Sequence, residues 1–194
     1  MNIAETNFVA DQMSTKNTMV EWLSEFRGND LDELCNATEE AIIDGNGFGW
    51  LKPPQRQVLE NYWRGVLLVP QRRLVVARIE GSIVGSAQLV KPAANNEAQA
   101  FAIEMTTFFL APWGRGHNLG NGMMLVMLDQ ARAEGFRTFE FNVRATQAAG
   151  IRLAEQMNFE LWATNEKYAL VDGEFVAGYY FRKDLDTEDA GVTP

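Results

Sequence analysis

A mixed α/β domain organised around a largely antiparallel sheet is the fold class that the sequence predicts, on three observations. Runs of β-branched and aromatic residues recur between tight turns, apolar residues recur at helical spacing on either side of those runs, and one strand passes into a helix through a loop dense in glycine. With 194 residues and 46% hydrophobic composition, the chain can bury a sizeable core within one domain. That domain is expected over residues 18–185, with an N-terminal segment at 1–17 before it and a polar, disordered tail at 186–194 after it.

Residues 18–26 (TMVEWLSEF) read as a strand or a short helix. Asn29 and Asp30 then cap a helix in which Leu31, Leu34, Ala37, Ala41 and Ile42 keep a helical period, and Gly45 ends it. After the turn at residues 44–47, Pro53-Pro54 opens a second helix, whose buried stripe is expected at Val58, Tyr62, Val66 and Leu67 and which stops at Pro70. LVVARIE (74–80) and IVGSAQLV (83–90), joined by Gly81-Ser82, form neighbouring antiparallel strands. AFAIEMTTFFL (100–110) adds a third strand to this meander and is closed by Pro112. Glycines 114, 116, 120 and 122 lead into a helix with Met124, Met127, Leu128 and Ala131 on one face, ending at Gly135. A strand (TFEFNV), a helix over 147–157 and two strands (KYALV and FVAGYYF) around Asp172-Gly173 complete the order.

Composition excludes several function classes. Cys35 has no cysteine to pair with and His117 is the single histidine, so no metal cluster that needs several of these ligands is expected. Acidic residues outnumber basic ones 26 to 17, for a net charge of −9, and no Lys/Arg cluster could track a phosphate backbone, which argues against nucleic acid. No stretch reaches the roughly 20 apolar residues of a membrane span and the first residues lack a signal pattern, so a cytoplasmic protein without membrane contact is expected.

A strand, a glycine-rich loop and a helix start make an anion site, because unpartnered backbone N–H groups converge there and the helix dipole favours negative charge. No P-loop Gly-Lys-Ser/Thr follows, and no dinucleotide fingerprint opens a parallel unit. What the segment Leu110-Ala111-Pro112-Trp113-Gly114-Arg115-Gly116-His117-Asn118-Leu119-Gly120 resembles is the acetyl-CoA loop of the GNAT superfamily of N-acetyltransferases. Arg115 and Gly120 match its pattern, and Asn118 stands where the first motif glycine is usual; asparagine is among the few residues that tolerate a left-handed backbone, so the loop can keep its shape. Val143 to Phe159 resembles the second family segment, with Gln147, Gly150, Ala154 and Asn158 as departures. The likeness spans roughly residues 18–185 and implies helices on both faces of the sheet and strands splayed at an acetyl-CoA site.

From the resemblance follow the site assignments. Phe108, Phe109 and Leu110 would bind the pantetheine arm through their backbone. Arg115, Gly116, His117, Asn118, Leu119, Gly120, Asn121 and Gly122 would hold the pyrophosphate, and Gln147 would help hold the coenzyme. Glu104, within an apolar strand, reads either as a base with a raised pKa or as a carboxylate on a wet strand face. Ala154 occupies the position where many relatives carry an acid tyrosine; Tyr168 or an unassisted thiolate would take its place. Phe48, Trp50 and Tyr62 border the region where relatives bind the acceptor. The activity so implied is acetyl transfer from acetyl-CoA, as co-substrate and without a metal, to a small-molecule or peptide amine; a coenzyme-binding module with little activity is the alternative. A homodimer is compatible with either.

Overall fold

A computed structural model describes residues 16–45 and 48–186, so the outer parts of the two expected terminal segments and half of the turn at 44–47 lie outside the described residues. Seven strands form one sheet: β1 (Thr18–Leu23), β2 (Arg72–Ile79), β3 (Ser82–Val90), β4 (Ala102–Leu110), β5 (Thr138–Arg144), β6 (Glu160–Val171) and β7 (Glu174–Asp184). Their spatial order is β1-β2-β3-β4-β5-β7-β6, and every pairing is antiparallel except that of β4 with β5. Four helices accompany it: α1 (Asp30–Ile43), α2 (Arg56–Leu68), α3 (Leu119–Ala133) and α4 (Ala148–Gln156).

The period-2 alternation of β2 divides the core in two. Val75, Ala77 and Ile79 face one side, where they pack with Met123, Met124, Met127, Leu128 and Ala131 of α3 and Leu153 of α4. Leu74 and Val76 face the other, against Leu34, Ala37 and Ala41 of α1 and Leu59, Trp63 and Val66 of α2. Trp63 is fully buried there, and its indole N–H donates to Thr38 Oγ1 at 3.0 Å while Thr38 donates to the Leu34 carbonyl at 2.6 Å, so the one polar atom of the ring is satisfied.

The turn between β2 and β3 sits at Glu80 and Gly81, both with positive φ (50° and 85°), one residue earlier than expected. The helix α2 starts at Arg56, after the prolines, and its buried stripe is Leu59, Trp63 and Val66; of the expected residues Val66 is buried, Tyr62 and Leu67 are half-buried, and Val58 is exposed. Val58 and Leu59 have equal hydrophobic claims, and the sheet below decides for the register that seats the tryptophan.

Arg78 continues the helix-facing side of β2 and is 8% exposed; its guanidinium donates to both carboxylate oxygens of Asp30, 5% exposed, at 2.7 and 3.1 Å. This pins the first turn of α1 to the sheet. Burial is the largest single influence on the Asp30 carboxylate and works against its charge, but the Arg78 hydrogen bonds, the Arg27 main-chain N–H and the charges of both arginines together outweigh it and hold its pKa below the ordinary 3.8. Asp30→Ala should therefore cost about 1–3 kcal/mol in urea unfolding, because the buried guanidinium loses both Asp30 hydrogen bonds and keeps Glu21, at 2.7 Å, as its remaining carboxylate. Since the folded pKa is depressed, the parent's extra stability is complete above the ordinary aspartate value and is lost as pH falls through the lowered one. A parent and variant that unfold at the same urea concentration at neutral pH would remove this pair from the account.

Candidate functional site

The strand β4 is bent by one residue. Thr106 registers with Gln88 of β3 and Phe109 with Ser86, so two residues, Thr107 and Phe108, stand against Ala87 alone, and Thr107 has φ 54°. A β-branched residue in that region is a steric outlier, and here it is the extra residue of a β-bulge. A polar network holds it. Arg72 donates to Gln88 Oε1 at 2.6 Å; Gln88, fully buried, donates to Tyr62 Oη at 2.9 Å and to Thr107 Oγ1 at 3.1 Å; and Tyr62 Oη lies 3.3 Å from Thr107 Oγ1.

On its other side β4 pairs with β5 only from Ala102 to Glu104, opposite Thr138 to Glu140. Beyond that point the two strands part. Between them lies a cavity of about 660 Å³ walled by residues 105–110 of β4, Phe141, Asn142 and Val143 of β5, the loop before α3, the first turn of α4, and Tyr168 of β6. Two helix N-termini open on it. Asn118 caps α3 in the left-handed conformation (φ 58°, ψ 13°), which the sequence had led us to expect of an asparagine here. Its main-chain oxygen accepts from Gly122, leaving the N–H groups of Leu119, Gly120 and Asn121 without helical partners. At the second helix, residues 148–150 line the same space, following Gln147 at the cap.

Of the expected coenzyme contacts, Phe108, Phe109, Leu110, Arg115, Gly116, Asn118, Leu119, Gly120, Asn121 and Gln147 line this cavity, while His117 and Gly122 do not. Arg115 forms an ion pair with Asp44 across the mouth, and Arg144 donates to the Phe48 carbonyl, so two arginines tie the segment after α1 to the cavity rim. Phe48, Trp50 and Tyr62 line neither this cavity nor the second; they stack with Trp63 and Phe109 in the core. Ala154 is fully buried among core residues and off the cavity wall, so a tyrosine placed there would have to displace its neighbours.

Glu104 lies on the other side of the splay, in a second cavity of about 370 Å³ that shares Phe141 and Asn142 with the first. Its carboxylate reaches water at the rim, yet burial of the group and the nearby charge of Glu140 raise its pKa above the ordinary 4.5, with Arg72 opposing. Tyr168 faces the first cavity, where its hydroxyl donates to Asn142 Oδ1. Burial raises its pKa, and the negative charge on Glu104 contributes in the same direction. Asn142 and Glu140 were not singled out in the sequence; their signal was the alternation of TFEFNV, which puts Glu140 and Asn142 on one face of β5 and Phe139 and Phe141 on the buried other.

This combination of a bulged strand, a parallel contact only three residues long and a splay floored by helix N-termini defines a class, and the chain belongs to the acetyltransferase (GNAT) family, whose model matches residues 30–159. An uncharacterized N-acetyltransferase from the hisH-hisA intergenic region of Azospirillum brasilense is 51% identical over 128 residues, 66% of this chain and 76% of that relative. Among solved structures, an N-acetyltransferase from Staphylococcus aureus Mu50 superposes with a TM-score of 0.74 at 20% identity, covering 87% of this chain and 99% of that one. The yncA protein of Salmonella typhimurium, solved with its cofactor acetyl-CoA, gives 0.72 at 16% identity over 90% and 98% of the two chains. At these identities the structures show the shared fold.

One glycine sets Tyr168 in place. A Cβ at Gly178 of β7 would lie 2.1 Å from Tyr168 Cγ, so the ring occupies the room that a side chain would need. Because Tyr168 Cβ would lie 2.6 Å away as well, Gly178→Ala should push the irregular stretch of β6 that carries Tyr168 off β7 and expose the ring, lowering its phenol pKa back toward the ordinary 10. Difference absorbance titration of variant against parent reads this shift; superimposable tyrosine titrations would show that Gly178 does not position the ring.

Proposed function

We propose that this chain is an acetyl-CoA-dependent N-acetyltransferase in which an amine attacks the thioester directly. The observation that carries the reading is the division of labour across the splay: a carboxylate with a raised pKa on one side, a buried tyrosine hydroxyl on the other, and Asn142 shared between the two cavities.

The residues present fit the coenzyme. The unpartnered N–H groups at the start of α3 would take the pyrophosphate, and Gly120 keeps the approach open, since even a Cβ there would only touch Phe108 and Leu110 at 3.7 and 3.9 Å. The arm would run along the unpaired edge of β4 at 105–110, whose free N–H groups would polarise the thioester carbonyl. Bound there, acetyl-CoA supplies the acetyl group and a thiolate leaving group. Glu104, directly or through a water, takes the proton from the acceptor's ammonium, which frees the nitrogen lone pair to form the C–N bond as the C–S bond breaks. Tyr168, kept protonated by its raised pKa and held by Asn142, donates its proton to the departing sulfur. It stands in for the tyrosine absent at Ala154.

Glu104→Gln should lower kcat by roughly 10²–10⁴-fold with the acetyl-CoA Kd nearly unchanged. Because Glu104 must be ionised to act, the parent's rate should rise with pH through its raised pKa, and this acid limb should vanish in the variant. Tyr168→Phe should cost about tenfold, less than the base, since a thiol of pKa about 8.5 is already a fair leaving group. Stopped-flow release of the free thiol measures both. Full turnover by Glu104→Gln at every pH would remove the base, and a parent that binds acetyl-CoA by calorimetry yet acetylates no amine would leave only a coenzyme-binding module.

A further inference from the structure

The acetyltransferase reading leaves the acceptor unnamed, and the second cavity bears on it. A single row of registered positions crosses six strands: Arg72 opposite Val90, Val90 opposite Glu104, Glu104 opposite Glu140, Glu140 opposite Arg182, and Arg182 opposite Glu160. Registered residues share a face, so two carboxylates stand side by side at the last paired position before the splay, both on the wall of the second cavity. Like charges directly opposite one another destabilise a sheet. The flanking guanidiniums relieve them only in part: Arg72 opposes the rise of the Glu104 pKa and Arg182 feels the charge of Glu140, but each donates its hydrogen bonds elsewhere, Arg72 to Gln88 at 2.6 Å and Arg182 to Glu160 at 2.8 Å. Among the described residues, neither Glu104 nor Glu140 has a hydrogen bond or ion pair of its own side chain. Lys91, the one cation lining this cavity among those residues, is held by Glu134 at 2.6 Å.

The remaining walls mix amide and aromatic side chains, Asn96, Gln99 and Asn142 among the first. Phe101, Trp162 and Tyr180 line the cavity, and the Trp162 ring already carries the Arg182 guanidinium over its face at 5.7 Å. A volume of about 370 Å³ suits a small molecule and is too small for a folded partner's loop. An ammonium placed between Glu104 and Glu140 relieves their repulsion, and after Glu104 takes its proton Glu140 remains to hold the acceptor's remaining N–H. A carboxylate on the carbon next to that nitrogen would be brought against both glutamates, which penalises it.

We propose that the second cavity is the acceptor site for a small primary amine without a carboxylate on the adjacent carbon, and that Glu140 is the residue that docks its ammonium and enforces that choice. This rests on the transferase reading. The test is steady-state acetylation of matched pairs that differ only in the carboxylate: phenethylamine and phenylalanine, tyramine and tyrosine, isoamylamine and leucine. In each pair kcat/KM should favour the amine by at least about tenfold, and Glu140→Gln should bring the ratio toward one, with most of the amine's loss in KM and the acetyl-CoA Kd unmoved. Equal or better use of the amino acids, turnover confined to peptide amines, or a ratio unchanged in Glu140→Gln would overturn the inference while leaving the transferase reading standing. Acetylation of nothing in the panel, with acetyl-CoA bound, would overturn both.

Discussion

The left-handed backbone at Thr107 is the constraint from which the site follows. A β-branched residue with φ 54° is held at a cost of the order of 1–3 kcal/mol, and it persists because its hydroxyl is locked to Gln88 and Tyr62 and because Arg72 completes the Gln88 amide. The bulge rotates the second half of β4, so that Phe109 enters the α1/α2 core and the pairing with β5 stops at Glu104. Two cavities back onto each other where the strands part. The buried network explains the place of Tyr62: it supports the bulge and lies off the wall of the second cavity.

Electrostatics are then divided by the same seam. The coenzyme side presents helix N-termini and backbone donors, suited to phosphates and to a carbonyl that gains negative charge. The other side presents two glutamates that are short of cations, suited to an ammonium. Asn142 lies on both, and the Tyr168 hydroxyl donates to it. On the proposed reading, the base and the acid work from opposite faces, and neither needs to move during the reaction.

Much of this was legible in the sequence, and the misses have physical causes. The strand meander, α3 with its methionine face and the left-handed tolerance of Asn118 were carried by periodicity, glycine placement and one residue's conformational range. The start of β6 was not anticipated, because residues 160–166 lie at the sheet edge and are nearly all exposed, so they lack the alternation by which a strand announces itself. The aromatic residues Phe48, Trp50 and Tyr62 were expected to border the acceptor; they stack with one another and with Trp63 and Phe109, Phe48 buried and the other two half-buried, a packing that no local pattern encodes. Glu140 was invisible for a different reason: its neighbour Glu104 is set by a parallel register between strands separated by a helix, which no local pattern encodes.

The most direct test of the whole account is a crystal structure of the protein with acetyl-CoA. The account predicts the pyrophosphate on the N–H groups of Leu119, Gly120 and Asn121, the pantetheine arm along residues 105–110, and the thioester sulfur facing Tyr168, with the cavity between Glu104 and Glu140 still open to solvent. A coenzyme that runs instead through the second cavity, or that leaves the splay between β4 and β5 unfilled, would contradict it.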